Sequence, residues 1–312
     1  MSYIPRYIKT FEEGRLDEKI HKAFENLKKC TICPRLCRVD RTRGKKGICN
    51  TAVKVGIADF FPHFGEERVL VGKRGSGTIF ISCCNLLCIY CQNASTSHLC
   101  EGQLYSPSAF ASMMIKLQNA GCHNINIVTP THIVPQLLLA LKIAIKKGLN
   151  IPLVYNTSGY ELPKTLKILE GVVDIYLADF KYSNPLYAEL YSSAKDYPTI
   201  TKKALKIMYK QVGNLKVQNA TKGLMIRHLV LPNNIAGTKE VVDFIATELS
   251  PFVYVNIMPQ YLPLGEAYRF EELARPITEE EYLQALIYAK EAGLKNLDPY
   301  CVEFLKRRGI TI

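Results

Sequence analysis

From residue 78 onward, short apolar runs alternate with longer segments of helical periodicity, and that alternation narrows the fold more than any other feature of the chain. The runs are "TIFIS" (78–82), "NINIVT" (124–129), "LVYNT" (153–157), "DIYLAD" (174–179), "LMIRHLVL" (224–231) and "FVYVNIM" (252–258). Between them stand "SPSAFASMMIKLQNAG", "VPQLLLALKIAIKKG", "ELPKTLKILEG", "YPTITKKALKIMYKQVG" and "TKEVVDFIATEL", several closed by the glycine that often ends a helix. Six βα units in succession predict an α/β fold, a parallel sheet with its helices outside. Such a sheet either opens, doubly wound, or curls toward a barrel, and in both cases ligands sit at the carboxyl ends of the strands.

The portion before residue 78 reads differently. Leu16, Ile20, Ala23, Phe24 and Leu27 give "RLDEKIHKAFENLKK" one apolar face, and the pattern stops at Cys30. "CTICPRLCRVDRTRGKKGIC" follows, rich in turn formers and charge, too small to bury a core without a metal or a neighbour. With 312 residues, 48% of them hydrophobic, the chain suffices for one large domain and a small appendage. The expected division is residues 1–70 as helix and Cys-rich metal-binding segment, 71–300 as partial barrel and 301–312 as closing helix and tail.

The start, "MSYIPRYIKTFEEGRLDEK", has no apolar signal region, and "IVPQLLLALKIAI" is too short and too interrupted to span a bilayer, so a cytoplasmic protein without membrane partners is expected. The formal charge of +12 raises an acidic or phosphate-bearing partner. The excess is diffuse, however: Lys202, Lys203, Lys206 and Lys210 recur at the spacing of a solvated helix face, and there is no interleaved aromatic and basic motif of the RNA-binding kind.

Eleven cysteines without a signal peptide favour thiolate or metal chemistry over disulfides. Cys84, Cys88 and Cys91, in "ISCCNLLCIYCQN", lie on the loop leaving the first strand, the ligand end of the sheet. Three thiolates at this spacing can hold three corners of a 4Fe-4S cubane and leave the fourth iron open to a small molecule, whereas zinc would want a fourth ligand or a catalytic water. Cys30, Cys33, Cys37 and Cys49 form a second set, suited to zinc or a second iron-sulfur cluster, whose negative charge Arg35, Arg38, Arg41, Arg43, Lys45 and Lys46 would offset. Cys83 is expected to be a packed free thiol, and Cys100, Cys122 and Cys301 isolated core residues. His63, Glu66 and Glu67 in "HFGEE" read as a solvated acidic turn.

"CNLLCIYCQN" resembles the cluster motif of the radical S-adenosylmethionine (SAM) superfamily, and "FPHFGEERVLVGKRGSGTIFISCCNLLCIYCQN" is similar, more narrowly, to the PflX-like branch of the pyruvate formate-lyase-activating-enzyme relatives. The resemblance implies an incomplete (β/α)6 barrel, a 4Fe-4S cluster, bound SAM and a low-potential donor such as flavodoxin or ferredoxin. It places Tyr90 against the adenine and makes Cys83 unusual, since the family pattern has a glycine there. Where the family's second strand ends in a Gly-Gly-Glu motif that holds the SAM amino group, this chain has "VTPTH", leaving Thr129 and Thr131 as acceptors and turning His132 toward a substrate. Asn156 and Ser158 match a third-strand SAM contact, Asp179 and Lys181 the Asp-x-Lys pair with Lys181 on the SAM carboxylate, and Arg227 and His228 a strand end near the ribose. The same likeness sets the "HFGEE" loop at the active-site mouth. The activity implied is reductive cleavage of SAM followed by hydrogen abstraction, with glycyl-radical formation on a partner protein as the first reading. The others are radical modification of a small molecule or RNA base, and a non-enzymatic metal scaffold that cleaves no SAM.

Overall fold

The computed structural model describes residues 3–217 and 220–311. Among them, one sheet contains β1 (Val55–His63), β2 (Ser76–Ile81), β3 (Gln103–Tyr105), β4 (Ile125–Val128), β5 (Leu153–Thr157), β6 (Ile175–Asp179), β7 (Gly223–Leu229) and β8 (Tyr254–Met258). The spatial order is β3-β1-β2-β4-β5-β6-β7-β8. β2 and β4 to β8 pair in parallel, with Ile79 opposite Ile127, Ile127 opposite Tyr155, Tyr155 opposite Tyr176, and Ile226 opposite Val255. These are the six strands expected from the sequence, and the sheet stays open, an incomplete (β/α)6 barrel.

Each parallel strand is apolar almost throughout because both of its faces are covered. Residues alternate between two cores. Leu153, Tyr155, Tyr176, Ala178, Leu224, Ile226 and Val255 face the helices, whereas Val154, Ile175, Leu177, Met225 and Tyr254 point inward and close around Leu70. Leu70 belongs to the short helix Arg68–Val71 between β1 and β2, so that connection stops the amino-terminal end of the barrel.

The outer helices are Pro107–Asn119, Val134–Lys146, Pro163–Leu169, Tyr197–Val212 and Thr238–Phe244, all within segments expected to be helical. Four carry proline in the first turn, where its missing N–H costs nothing. The chain closes with helix Glu279–Glu291, started by a Thr278–Glu281 capping box, and helix Pro299–Lys306. Among the described residues no helix is long and apolar enough to cross a membrane.

Helix Arg15–Lys28 buries Leu16, Ala23 and Leu27 and lies against helices Val134–Lys146 and Pro163–Leu169. Asp174, fully buried, ties the chain start to the barrel by accepting from Tyr3 Oη at 2.7 Å, Arg6 N at 2.8 Å and Leu153 N at 2.8 Å. β1 and β3 were not expected. They extend the β2 edge in antiparallel fashion, β1 with only a few buried positions and β3 only three residues long, so neither shows the apolar run that marks the parallel strands.

Candidate active site

The loop after β2 carries Cys84, Cys88 and Cys91 to the carboxyl end of the sheet, and all three line one cavity of about 260 Å³. Each sulfur has a donor aimed at it: Leu86 N at 3.3 Å from Cys84 Sγ, Ser192 Oγ at 3.1 Å from Cys88 Sγ, and Ser97 Oγ at 3.1 Å from Cys91 Sγ. Burial pushes the Cys88 thiol up to about 12, against the pull of Lys181 and of the Ser192 hydroxyl. The three sulfurs of a cubane site belong to three different irons. The donor set therefore fits a cluster with one open corner, and the hydrogen bonds suit thiolate rather than thiol.

Tyr90 lines the same cavity, its ring edge-on to Tyr182 and Tyr261 with centroids 6.2 and 5.8 Å away. Thr129, Asn156, Ser158, Asp179, Lys181 and Arg227 line it from four successive strand ends. Ser158 Oγ is buried without a partner, which fits a polar ligand. Thr129 stands at φ +62°, a conformation that a β-branched residue adopts only when its surroundings impose it. Gly159, at φ +78°, brings the β5 loop so close to β6 that a Cβ there would lie 2.3 Å from Asp179 O.

Asp179 organises the polar wall. Its two oxygens accept from Lys181 Nζ at 2.7 Å and Arg227 Nε at 2.9 Å. Burial alone would raise its pKa, but Lys181 and then Arg227 hold it below the usual carboxylate range. Arg227 Nη2 also donates to Asn156 Oδ1 at 2.6 Å. Lys181 therefore reaches the cavity already paired with Asp179.

Thr131 and His228 do not line the cavity. Thr131 donates to Glu161 Oε1 at 2.6 Å, and His228 is buried between Phe180 O at 2.6 Å and Thr238 Oγ1 at 3.0 Å. His132 is also buried, 3.0 Å from Ser82 O, and burial followed by the charge of Arg41 pushes its pKa down to about 3.

Sequence reading missed Glu161. It is fully buried, and its Oε1 accepts from Thr131, Thr157 (2.6 Å) and Tyr155 (3.1 Å), while Oε2 has no partner. Burial pushes it up to about 7 against those three donors. A carboxylate thus stands beside the strand end that lacks its own glutamate, delivered by the next loop. Its position three residues after Ser158 in "YNTSGYE" was the available signal.

Three expectations are corrected. Cys83 is not a free thiol and Cys100 is not isolated, because the two are joined in a disulfide. Cys83 takes φ +70°, the glycine-like conformation that the family pattern fills with glycine. Glu66 and Glu67 form no solvated turn. The Glu66 side chain is 8% exposed and reaches Arg227 Nη1 and Asn156 Nδ2 at 3.5 Å, while Glu67 accepts from Asn256 Nδ2 at 3.0 Å. Burial lifts Glu66 to about 7, with Arg227 opposing and Glu67 adding. The pair lies inside the barrel beneath the polar wall, drawn there by the same short connection that places Leu70.

The Cys-rich segment is clamped onto this site. Arg35 donates from Nε to Asn85 O at 2.8 Å and from Nη2 to Leu86 O at 2.9 Å and Ser192 O at 2.8 Å, with a further bond to Ser193 O. Arg41, fully buried, donates to His132 O at 2.9 Å and Ala52 O at 2.8 Å and lies 3.9 Å from Cys30 Sγ. Cys30, Cys33 and Cys49 are buried and Cys37 is half-buried. Burial drives Cys33 up to about 12, the backbone N–H of Arg35 opposes, and the other three thiols add to the rise.

Residues 78–245 match the Radical SAM superfamily. The chain belongs to that superfamily. Its members use a 4Fe-4S cluster and SAM for radical chemistry. An uncharacterized protein of Methanocaldococcus jannaschii is 34% identical over 289 residues, 89% of this chain and 79% of its own length. Among solved structures, a radical SAM methyltransferase from Sphaerobacter thermophilus aligns with a TM-score of 0.48 at 14% identity, covering 71% of this chain but less than two thirds, 65%, of that one. Methylornithine synthase (PylB) aligns at 0.41 and 12% identity, covering 75% and 82%.

Proposed function

We propose that this radical SAM enzyme abstracts hydrogen from a partner protein, in the manner of the glycyl-radical-activating enzymes. The observation that carries the reading is the cavity wall. Its two cations, Lys181 and Arg227, are both paired, Lys181 with Asp179 and Arg227 with Asp179 and Glu66, which leaves no unpaired cation there for a phosphate-bearing substrate among the described residues. Past Gln260, which lines the cavity, the chain exposes Leu262, Leu264 and Tyr268. Glu266 N bonds Ile89 O at 2.7 Å, so this apolar segment borders the cluster loop and suits a polypeptide better than a nucleic acid. The likeness of residues 61–93 to the PflX-like branch supports the same choice.

In this reading Cys84, Cys88 and Cys91 hold the cluster, and Tyr90, Thr129, Asn156, Ser158 and Lys181 hold SAM, with Asp179 fixing Lys181 and Arg227. A 4Fe-4S cluster held by Cys84, Cys88 and Cys91 would supply the electron for reductive cleavage of SAM. The chain's task is alignment and exclusion of water. Thr131 and Glu161 buttress the strand end near the SAM amino group, and His228 fixes β7 from behind. Cys30, Cys33, Cys37 and Cys49 hold a structural metal, zinc or a second iron-sulfur cluster.

Anaerobically reconstituted protein reduced with dithionite should form 5'-deoxyadenosine from SAM, and Cys88→Ala should form none. Turnover by that variant would remove the cluster assignment. Incubation with a glycyl-radical protein should give the doublet of a glycyl radical by EPR. Deoxyadenosine formed without radical transfer to protein, while a small molecule is consumed, would replace the substrate reading.

A further inference from the structure

One pair of sulfurs belongs to neither metal set. The disulfide between Cys83 and Cys100 closes a ring of chain that contains Cys84, Cys88 and Cys91 and no other cysteine. Within the ring, Cys83 N donates to Thr96 O at 2.8 Å. Cys83 is 7% exposed and Cys100 is the more exposed residue of the two. On the outer side both cysteines line a second cavity of about 550 Å³, together with Lys46, Lys54, Leu99 and Leu104. Both lysines are exposed, neither has a carboxylate partner among the described residues, and no acidic residue lines this cavity. Leu99 and Leu104, 73% and 69% exposed, give it an apolar side. A disulfide thus faces a pocket lined by two lysines and no carboxylate.

We propose that the Cys83–Cys100 disulfide is an exchange site for an anionic low-molecular-weight thiol, and that exchange there opens the ring holding the cluster-binding loop. The ligand's thiolate attacks Cys100 Sγ and forms a mixed disulfide. The electron pair leaves on Cys83 Sγ, which takes a proton from water. A second ligand thiolate attacks the ligand sulfur of the mixed disulfide and releases Cys100, so that two ligand thiols are oxidised to their disulfide and one protein disulfide is reduced. Lys46 and Lys54 raise the local concentration of an anion. With the covalent tie gone, the loop ends are free to separate, and the three cluster cysteines lose a constraint that the disulfide had imposed. Only the statement of what the ring holds rests on the radical SAM reading.

The test uses full-length reconstituted protein under anaerobic conditions and three thiols on one two-carbon frame: 2-mercaptoethanesulfonate, 2-mercaptoethanol and cysteamine, at matched thiolate concentration. Differential alkylation and peptide mass report the opening of Cys83 and Cys100. The sulfonate should react on the order of tenfold faster than the neutral thiol, with cysteamine slowest, and the double variant K46A/K54A should abolish the order. Equal rates for the three thiols would overturn the anion site, and full labelling of both cysteines in untreated protein would overturn the disulfide. Iron released to a chelator should accelerate as the ring opens. The variant C83G/C100S, whose glycine accepts φ +70°, should show the fast release from the outset. Release from that variant at the wild-type rate would overturn the role of the ring. Alkylation needs no SAM, so its failure and a failure to form deoxyadenosine are separate results.

Discussion

Ser192 shows how much of this site is set by residues that touch no ligand. Its hydroxyl is 3.1 Å from Cys88 Sγ and 2.9 Å from Tyr182 Oη. A hydrogen bond to a ligating sulfur withdraws electron density and favours the reduced cluster. Ser192→Ala should therefore make the cluster midpoint more negative in an EPR-monitored redox titration, and an unchanged midpoint would remove Ser192 from the account. Glu161 gives a pH signature. Its pKa rises from the ordinary 4.5 to about 7, so its contribution to stability is full below 4.5 and is lost as pH climbs through 7. Between pH 5 and pH 8 the wild type should lose stability relative to Glu161→Gln, by about 3 kcal/mol at saturation. Asp174, also raised, is present in both proteins and cancels in the comparison. Denaturation midpoints that run parallel over that range would mean that Glu161 ionises freely. The cysteine motif was legible because spacing and strand position coincide in one short stretch. Glu66, Glu67 and Glu161 were not, because a glutamate in a turn is ordinarily solvated and nothing local reveals that the barrel interior will enclose it.

At the level of elements, the parallel strands declared themselves through apolar runs, since burial on both faces leaves no other composition available. β1 escaped because "VGIADFFPH" mixes Gly, Asp and Pro with its apolar residues and leaves several of its positions exposed. The Cys-rich segment reads from its sequence as a metal-binding knuckle, and nothing in that reading marks it as a strut. Arg35 joins Asn85 and Leu86 of the cluster loop to the end of helix Pro185–Ser192, and its guanidinium lies 5.5 Å from the Tyr160 ring centre. Arg35→Ala should cost about 2 kcal/mol by chemical denaturation, because several carbonyls lose a charged donor together. Arg35→Lys should recover little of this, since an ammonium cannot span the fork. Full recovery by lysine would mean that charge rather than geometry matters there.

For the whole molecule, Arg35 ties the segment of one cysteine set to the loop of the other, and metal content should report on each set. Reconstituted protein with about four irons and zinc would have one cluster and a zinc knuckle, whereas about eight irons would make the knuckle a second cluster. In either case Cys33→Ser should lower knuckle metal and leave the iron bound by Cys84, Cys88 and Cys91. Loss of both together would show that the two sites fold as one unit. The net charge of +12 is therefore no guide to the substrate: part of it sits around the knuckle sulfurs, and the cations that reach the main cavity are already paired.

Leu70 has one last consequence. With Val154, Ile175, Leu177, Met225 and Tyr254 it corks the barrel from below. Nothing that enters the chamber can leave by the amino-terminal end of the strands. With a protein as the proposed substrate, SAM would have to arrive before that partner covers the open end, and the products of its cleavage would wait until the partner departs.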